Sequence, residues 1–309
     1  MHTWTWMPII LAVLLAAGLG ALTWLGRKRP LALYAWTCRR ALAKAGLRQH
    51  FVPSAQGPLS VFVGGAGPLL LLLHGAGDQA GTWAKVVPAL LGGHRVILPD
   101  QAGHGDSAPA DGIIEAAAIV AGLEAVISAE AQGQPVTVIG NSLGGWMAMV
   151  LAQRHPEWVT RVIAVNGGAL KGSTSSVNLL PKSRREAQET MSQLRDPSNP
   201  AVPNFVLDDM VRRAQSSPLQ RFVATANTTM GDWTLDEAEL RSIQAPVTLL
   251  WGAADQLMTL GYAQRMASVL PHAELIPIAR CGHIPQQEAP ERFQEALLKV
   301  LGEAQVQEA

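Results

Sequence analysis

The feature that most constrains this fold is a glycine-flanked serine directly after a short apolar run. Residues 135–139 have the length and the β-branched content of a buried strand. The motif Gly140-Asn141-Ser142-Leu143-Gly144 follows, and an apolar helical pattern comes after it. A strand that turns sharply into a helix at a serine predicts an exposed hydroxyl at the carboxyl end of that strand. Such a turn requires the two flanking glycines, because these positions approach too closely for side chains.

Two further polar residues follow strand-like runs later in the chain. Asp255 comes after the apolar run 246–251, and His283 comes after the run 273–278. Both should lie at the same edge of a parallel sheet as Ser142. A histidine can take the proton of a serine hydroxyl, and a carboxylate can hold that histidine in the required tautomer. We therefore predict Ser142 as the nucleophile, His283 as the base and Asp255 as the acid that orients the base.

An anion site is predicted beside the serine. An unbroken run of leucines at 69–73 is followed by the glycine-rich sequence His74-Gly75-Ala76-Gly77. Backbone N–H groups in such a loop, together with the N–H that follows the serine, can stabilise a developing oxyanion. Ala76 and Leu143 are the predicted donors.

Strand and helix patterns alternate along most of the chain. This alternation predicts an α/β fold, with a mostly parallel sheet and helices on both of its faces. The predicted strands are 59–63, 69–73, 95–98, 135–139, 161–165, 246–251 and 273–278.

One interval breaks this alternation and predicts a separate helical unit. Residues 169–245 contain no convincing strand but show three short helical patterns separated by prolines. We predict a helical cap between the runs 161–165 and 246–251, at the place expected after the sixth strand of such a fold, with residues 58–168 and 246–302 forming the core. Apolar cap residues are candidates for an acyl channel or for the cap's own core: Leu179, Leu180, Met191, Phe205, Val206, Met210 and Phe222.

Taken together, these motifs resemble the α/β-hydrolases. The Pro-Asp-x-x-Gly-His-Gly segment at 99–105, the Trp-Gly-Ala-Ala-Asp segment at 251–255 and the Gly-His pair at 282–283 also carry the resemblance, which covers about residues 58–302. It implies the α/β-hydrolase fold with a serine, acid and histidine in that chain order. Because the turn carries serine rather than aspartate, the haloalkane dehalogenase and epoxide hydrolase branches are disfavoured.

The amino-terminal segment predicts a membrane anchor. Residues 7–26 are predominantly apolar and long enough to cross ~30 Å of hydrocarbon as a helix. Tryptophans 4, 6 and 24 bracket the run, and the basic residues 27–29 end it. A cleaved signal peptide would carry basic residues before the apolar run, and an interfacial helix would show a polar face. The prediction is a transmembrane anchor at 1–26 and a basic juxtamembrane linker at 27–57.

The charge distribution predicts an orientation and excludes one class of partner. The first 77 residues contain no acidic residue, and seven basic residues lie between 27 and 48. The positive-inside rule then predicts the catalytic domain on the cytoplasmic side of a membrane. The rest of the chain carries 17 basic and 24 acidic residues, so nothing in its charge favours binding to nucleic acid.

Cysteine usage and the other motifs predict no cofactor. Cys38 and Cys281 are the two cysteines, which indicates no disulfide framework. The sequence shows neither the spacing of a metal site nor a dinucleotide motif.

The predicted function is that of a serine hydrolase that cleaves carboxylic esters through an acyl-enzyme. The predicted anchor favours lipidic esters such as monoacylglycerols. Segments 180–186 and 203–208 also resemble the membrane-anchored monoacylglycerol lipase branch. Two alternatives stay open: a carbon–carbon bond hydrolase of ring-cleavage products, which shares the serine and His-Gly-x-Gly motifs, and a non-catalytic protein that binds lipid or a partner.

Overall fold

An eight-stranded sheet forms the centre of the molecule. The computed structural model describes residues 6–172, 177–229 and 231–302, without the side chains of residues 21, 22, 25, 225–229 and 232. The spatial order of the strands is β1-β2-β4-β3-β5-β6-β7-β8. The strands are β1 (Arg48–Val52), β2 (Leu59–Gly65), β3 (Leu69–Leu73), β4 (Arg95–Pro99), β5 (Val136–Asn141), β6 (Val159–Val165), β7 (Val247–Gly252) and β8 (Ala273–Ile278).

The sheet is parallel except at one edge. All neighbouring strands from β4 to β8 pair in parallel, whereas β2 pairs antiparallel to both β1 and β4. The predicted α/β-hydrolase fold with a mostly parallel sheet is therefore confirmed. The sheet also brings the carboxyl ends of β3, β5, β6, β7 and β8 to one edge.

Helices cover both faces of the sheet, as alternate leucines of β3 illustrate. Leu69, Leu71 and Leu73 pack in one apolar cluster together with the helices after β4 and β5. Leu70 and Leu72 pack in the other cluster with Trp83 and Phe293. A strand buried on both faces needs apolar side chains at every position, which explains the unbroken leucine run.

The helices follow the chain order expected of this fold. They are α1 (Met7–Lys28), α2 (Pro30–Lys44), α3 (Val87–Leu90), α4 (Ala116–Ala131), α5 (Leu143–Arg154), α6 (Arg184–Leu194), α7 (Asn204–Ala214), α8 (Pro218–Thr229), α9 (Glu237–Arg241), α10 (Leu260–Val269), α11 (Pro285–Glu288) and α12 (Pro290–Leu301). Helices α6 to α9 lie between β6 and β7, in the region predicted as the cap. The cap boundaries at 169 and 245 stay a prediction.

Residues 27–57, predicted as a basic juxtamembrane linker, contain α2 and β1. Strand β1 pairs with β2 and forms the edge of the sheet. Four of its five side chains are exposed, so its sequence lacks the apolar alternation from which a strand can be predicted. Helix α2 packs Cys38 and Leu42 into the core. The segment is therefore part of the domain.

The structure does not support the predicted membrane anchor. Across the described residues, no helix combines the length and the apolar character needed to cross a bilayer. Part of the prediction for 1–26 lies outside what the structure describes, namely residues 1–5 with Trp4 and the side chains of residues 21, 22 and 25.

Candidate active site

Ser142 lies at the turn between β5 and α5 in a strained backbone conformation. Its φ is +54° and its ψ is −116°, a combination that few non-glycine residues adopt. A Cβ on Gly140 would lie 2.1 Å from the carbonyl oxygen of Gly144, and a Cβ on Gly144 would lie 2.3 Å from that of Leu73. Any side chain at these two positions would clash with the backbone, so both must be glycine, as the sequence predicts.

A third glycine at this turn was missed by the sequence analysis. Gly167, just after β6, lies so close to the serine that a Cβ there would be 2.1 Å from the carbonyl oxygen of Ser142. Strand β6 pairs with β5, and β5 leads into the serine turn. Gly167 therefore comes close to Ser142 only when the two strands pair.

Asp255 and His283 form a buried pair at the same edge of the sheet. The Asp255 Oδ2 atom lies 2.7 Å from His283 Nδ1. Asn166 Nδ2 also donates to Oδ2, at 2.7 Å, while the backbone N–H groups of Leu257 and Met258 donate to Oδ1. In all four contacts the Asp255 carboxyl oxygens act as acceptors, so the His283 Nδ1–H donates to Asp255 and the Nε2 lone pair of His283 stays free. Asn166 carried no signal in the sequence.

The segments that carry Ser142 and His283 are joined through the Asn141 side chain rather than by a direct hydrogen bond. Among the described residues, no hydrogen bond joins the Ser142 hydroxyl to the His283 ring. Asn141, which precedes the serine, donates from Nδ2 to the carbonyl oxygen of His283 at 2.9 Å and to that of Val165 at 3.0 Å. Long serine–histidine contacts are common in enzymes without substrate and shorten when substrate binds.

The serine opens onto an apolar cavity of about 300 Å³. Ser142, Ala76 and Leu143 line it together, so the predicted nucleophile and the predicted oxyanion donors share one space. Leu179 and Phe222 are the two predicted channel residues found in its wall. The other side chains of the wall are Trp146, Leu170, Leu219, Val223, Thr234, Leu257, Met258 and Tyr262.

Two backbone N–H groups are available beside the serine. Within the described part of the chain, neither Ala76 nor Leu143 donates its N–H to another protein group. Leu143 is the first residue of α5, where helical N–H groups lack partners and the helix dipole is positive. A Cβ on Gly75 would lie 3.3 Å from Ser142 Cβ, so this loop passes directly beside the serine. The arrangement is suited to binding an oxyanion.

A buried amide network connects the three segments of the site. Gln286 donates from Nε2 to Asn141 Oδ1 at 3.1 Å and to Thr82 Oγ1 at 3.2 Å. Gln287 donates to the same Thr82 oxygen at 2.6 Å and to Asp78 Oδ2 at 3.0 Å. The helix after His283 is thereby tied to the serine turn and to the segment that follows Ala76. These pairs lie up to 209 residues apart in the sequence.

Two buried histidines support the loop below the cavity. His74 Nδ1 donates to the Gly75 carbonyl at 2.8 Å, and its Nε2 accepts from the Gln101 N–H at 3.0 Å. The His104 ring lies 5.2 Å from the His74 ring. Burial lowers the pKa of His74 to about 4 and that of His104 to about 3. Both rings are therefore neutral at pH 7.

Neither a metal nor a reactive thiol is indicated in the described residues. No group of three or more His, Cys, Asp and Glu side chains there has the arrangement of a metal site. Cys281 lies two residues before His283, but burial raises the pKa of its thiol to about 12. A protonated thiol is a poor nucleophile, so Cys281 is a packing residue.

The chain is similar to hydrolases along most of its length. A profile described as Alpha/beta hydrolase family matches residues 70–296. An uncharacterised protein of Mycobacterium tuberculosis is 31% identical over 258 residues, which cover 75% of this chain and 74% of that protein. A 2-hydroxy-6-oxononadienedioate/2-hydroxy-6-oxononatrienedioate hydrolase of Paraburkholderia phymatum is 31% identical over 261 residues, covering 76% and 87%.

A solved structure extends the similarity in fold. The crystal structure of a membrane phospholipase A, described as a bacterial virulence factor, superposes with a TM-score of 0.75 at 24% identity. The superposition covers 95% of this chain and 97% of that one. Together with the family profile, the strand order and the glycine-flanked serine turn, these similarities assign the chain to the alpha/beta hydrolase family.

Proposed function

We propose that this protein is a serine hydrolase that cleaves carboxylic esters through an acyl-enzyme. The single observation that carries the proposal is the buried Asp255–His283 pair at the sheet edge that also bears Ser142. A carboxylate on Nδ1 leaves Nε2 as a proton acceptor, which is what activation of a serine hydroxyl requires.

The proposed reaction has two similar halves. His283 Nε2 takes the proton of Ser142 Oγ as the oxygen bonds to the ester carbonyl carbon. The N–H groups of Ala76 and Leu143 stabilise the oxyanion, and each such donor typically contributes ~10²–10³ in rate. The carbon–oxygen bond to the alcohol breaks, and the alcohol leaves with the proton from His283. Water then attacks the acyl-enzyme with the same proton transfers and releases the acid.

The lining of the cavity favours an uncharged apolar acyl group. No Asp, Glu, Lys or Arg side chain lines the described cavity wall. A substrate carboxylate buried there would lack a cationic partner, and burying an unpaired charge is costly. Lipidic esters, monoacylglycerols among them, match this chemistry.

A carbon–carbon bond hydrolase of ring-cleavage products is the second candidate. It is favoured by the 31% identity to the Paraburkholderia phymatum hydrolase, whose named substrates are dicarboxylates. The uncharged cavity wall argues against a dicarboxylate substrate for this chain.

Covalent labelling separates an enzyme from a non-catalytic binding protein. A fluorophosphonate probe should label the wild-type protein and the control Ser242→Ala, whose serine is exposed and lies outside the cavity. Ser142→Ala should not be labelled. Equal labelling of the Ser142→Ala variant, or no labelling of the wild type, would contradict the proposed nucleophile.

A substrate panel separates the two enzymatic candidates. p-Nitrophenyl esters of rising acyl length are assayed in detergent beside a ring-cleavage dienoate. We expect kcat/KM to rise from acetate to longer acyl chains and no turnover of the dienoate. Activity that falls steadily beyond acetate and butyrate would exclude lipid substrates, and turnover of the dienoate alone would establish the second candidate.

We further propose that the protein works at a lipid surface, with its catalytic domain on the cytoplasmic side. Helix α1 exposes large apolar side chains along its length, including Met7, Leu14 and Trp24. Arg27 and Lys28 lie in its last turn, Arg29 follows directly, and Trp36 on α2 is also exposed. Apolar side chains beside basic residues favour contact with anionic lipid.

Vesicle flotation tests the proposed contact with a lipid surface. The protein should float with anionic vesicles more than with neutral ones, and added salt should weaken the binding because it screens the basic residues. Replacing Arg27, Lys28 and Arg29 by glutamate should abolish the preference. If the same amount of protein reached the floating fraction with and without vesicles, the proposal would be contradicted.

A further inference from the structure

The carboxyl end of cap helix α6 contacts both loops that carry the predicted partners of Ser142. The His283 N–H donates to the carbonyl oxygen of Leu194 at 2.8 Å. The N–H of Gln256, which follows Asp255, donates to the carbonyl oxygen of Gln193 at 3.1 Å. Carbonyl groups in the last turn of a helix have no partner within the helix. The partners here come from the loop that carries His283, called the base loop, and from the loop that carries Asp255, called the acid loop.

The contact between α6 and the base loop is close enough to require glycine. A Cβ on Gly282 would lie 2.1 Å from the carbonyl oxygen of Leu194 and 2.8 Å from the Cα of Arg195. The backbone before His283 is therefore packed directly on the backbone of the cap. A small displacement of this end of α6 must shift the base loop or break its hydrogen bonds.

One carboxylate joins the two segments a second time. Glu288, the last residue of α11, accepts on Oε2 from the Gly282 N–H at 2.7 Å. On Oε1 it accepts from the Asp196 N–H at 2.7 Å and from Asn199 Nδ2 at 2.5 Å. One side chain thus bonds the residue before the predicted base and two residues of the cap segment after α6.

The chemistry of these three contacts requires a carboxylate. All three partners are donors, and an ionised carboxylate offers acceptors on both oxygens and no competing donor. A glutamine at this position would keep one acceptor oxygen. Its NH₂ group would replace the other oxygen and would face an N–H donor of Gly282 or of the cap segment. Hydrogen bonds to an ionised acceptor are also roughly twice as strong as neutral ones.

We propose that Glu288 is a positioning residue that couples the cap to the His283 loop and thereby sets the imidazole for proton transfer from Ser142. This inference rests on the proposed hydrolase function. Since Glu288 acts through backbone contacts, its loss should impair the chemical step more than substrate binding, whose apolar cavity it does not line.

The test compares Glu288→Gln with the matched control Glu291→Gln. Glu291 lies exposed in the first turn of α12, three residues further on, and its substitution removes the same charge. For p-nitrophenyl butyrate we expect Glu288→Gln to lower kcat by about 10- to 100-fold with KM changed less than about threefold, because small misplacements of a catalytic group have costs of this size. The fluorophosphonate labelling rate should fall in parallel. Glu291→Gln should stay within twofold of the wild type in both measurements.

Two further variants keep the test decisive. Glu288→Asp retains the carboxylate and should recover part of the lost kcat. Asn199→Asp sets a second carboxylate against Glu288 without altering the base loop and should lower kcat in the same way, even where Glu288→Gln does not fold.

The outcomes separate the two proposals. All rates are normalised to folded protein through the thermal unfolding curve of each variant. A lower melting temperature with unchanged kcat in Glu288→Gln, or in Asn199→Asp where Glu288→Gln does not fold, would show a purely structural role and overturn the inference. A wild-type protein that neither reacts with the probe nor turns over esters would instead defeat the proposed function, and the inference with it.

Discussion

Single atoms decide the geometry of the serine turn. At Gly140 the absent Cβ leaves room for the Gly144 carbonyl, which a methyl group would approach to 2.1 Å. The colliding atom is backbone, so no side-chain rotation can relieve the contact. The turn can therefore hold Ser142 at φ +54° only while this position remains glycine.

Replacing Gly140 by alanine tests this requirement. We expect a loss of about 1–3 kcal/mol in the free energy of unfolding, as for other insertions of a methyl group into a packed site. Esterase activity should fall with it, because the serine turn must shift to admit the methyl group. Urea unfolding and an ester assay are the measurements.

Gly92 provides the matched control. It belongs to an exposed turn where a Cβ would meet no atom within 4 Å, and its φ is not positive. Gly92→Ala should therefore stay within about 0.5 kcal/mol of the wild type. Equal effects of the two substitutions would mean that the close approach at the serine turn does not limit stability.

At the scale of elements, one arginine of α8, in the region predicted as the cap, forms many hydrogen bonds to a loop of the core. The guanidinium of Arg221 donates to five carbonyl oxygens of the loop between β4 and α4. These belong to Gly103, Pro109, Ala110, Asp111 and Gly112, at 2.6 to 3.2 Å. Arginine has five N–H donors, and all are used here.

The position of α8 bears on the site because this helix forms one wall of the cavity. Leu219, Phe222 and Val223 all line the cavity. Leu219 also packs on the predicted oxyanion loop, where a Cβ on Gly77 would lie 2.8 Å from Leu219 Cβ. The Arg221 contacts thus help to hold this cavity wall near Ser142.

Arg221→Lys should loosen this wall. Lysine carries a single ammonium group that cannot span the five carbonyls. We expect a loss of about 1–3 kcal/mol in unfolding free energy. KM should rise more than kcat falls for esters with long acyl chains. Steady-state kinetics and urea unfolding measure both effects.

The control for this prediction is Arg185→Lys. Arg185 lies on α6, and its side chain is 78% exposed in an ion pair with Glu189. Its replacement should change stability by less than about 0.5 kcal/mol and leave KM unaltered. A KM for Arg221→Lys equal to that of the wild type would show that α8 keeps its position without the five hydrogen bonds of Arg221.

For the molecule as a whole, two neutral buried histidines make stability depend on pH. Protonating His74 at Nε2 would set a second donor against the N–H of Gln101. His104 lies beside it and is equally buried. Their pKa values of about 4 and about 3 in the folded protein lie well below the ~6.5 of an unfolded histidine.

The unfolding free energy should therefore decrease as the pH falls below about 6.5. Between that pH and the folded pKa values, the unfolded chain binds protons that the native state does not bind. Each such histidine then removes roughly 1 kcal/mol of stability per pH unit. The loss should continue to about pH 4 for His74 and about pH 3 for His104. Urea unfolding from pH 7 to pH 4 measures the slope.

One substitution isolates this contribution. In His104→Asn the amide N–H can replace the Nδ1 donor to the Ala102 carbonyl, but the side chain no longer titrates. Its stability should fall less steeply with acid than that of the wild type. His272→Asn changes an exposed histidine and should retain the wild-type slope. Identical slopes in all three proteins would refute the assignment to buried histidines.

The core of the fold followed from local patterns in the sequence. The seven predicted strands, the helices between them and the interruption by cap helices all depend on apolar periodicity over ten to twenty residues. The serine turn likewise carries its constraint within five residues. These features are encoded locally because each strand or turn needs its own residue pattern in order to form.

Other features were decided only by the tertiary structure. Strand β1 has exposed side chains and becomes a strand by pairing with β2. Asn166, Gln286 and Glu288 acquire their roles from partners about 90 to 200 residues away. The amino-terminal run predicts a transmembrane helix, yet the described residues contain none that could span a bilayer. Periodicity reports which face of an element is buried, whereas the atoms that meet there depend on how all the elements pack.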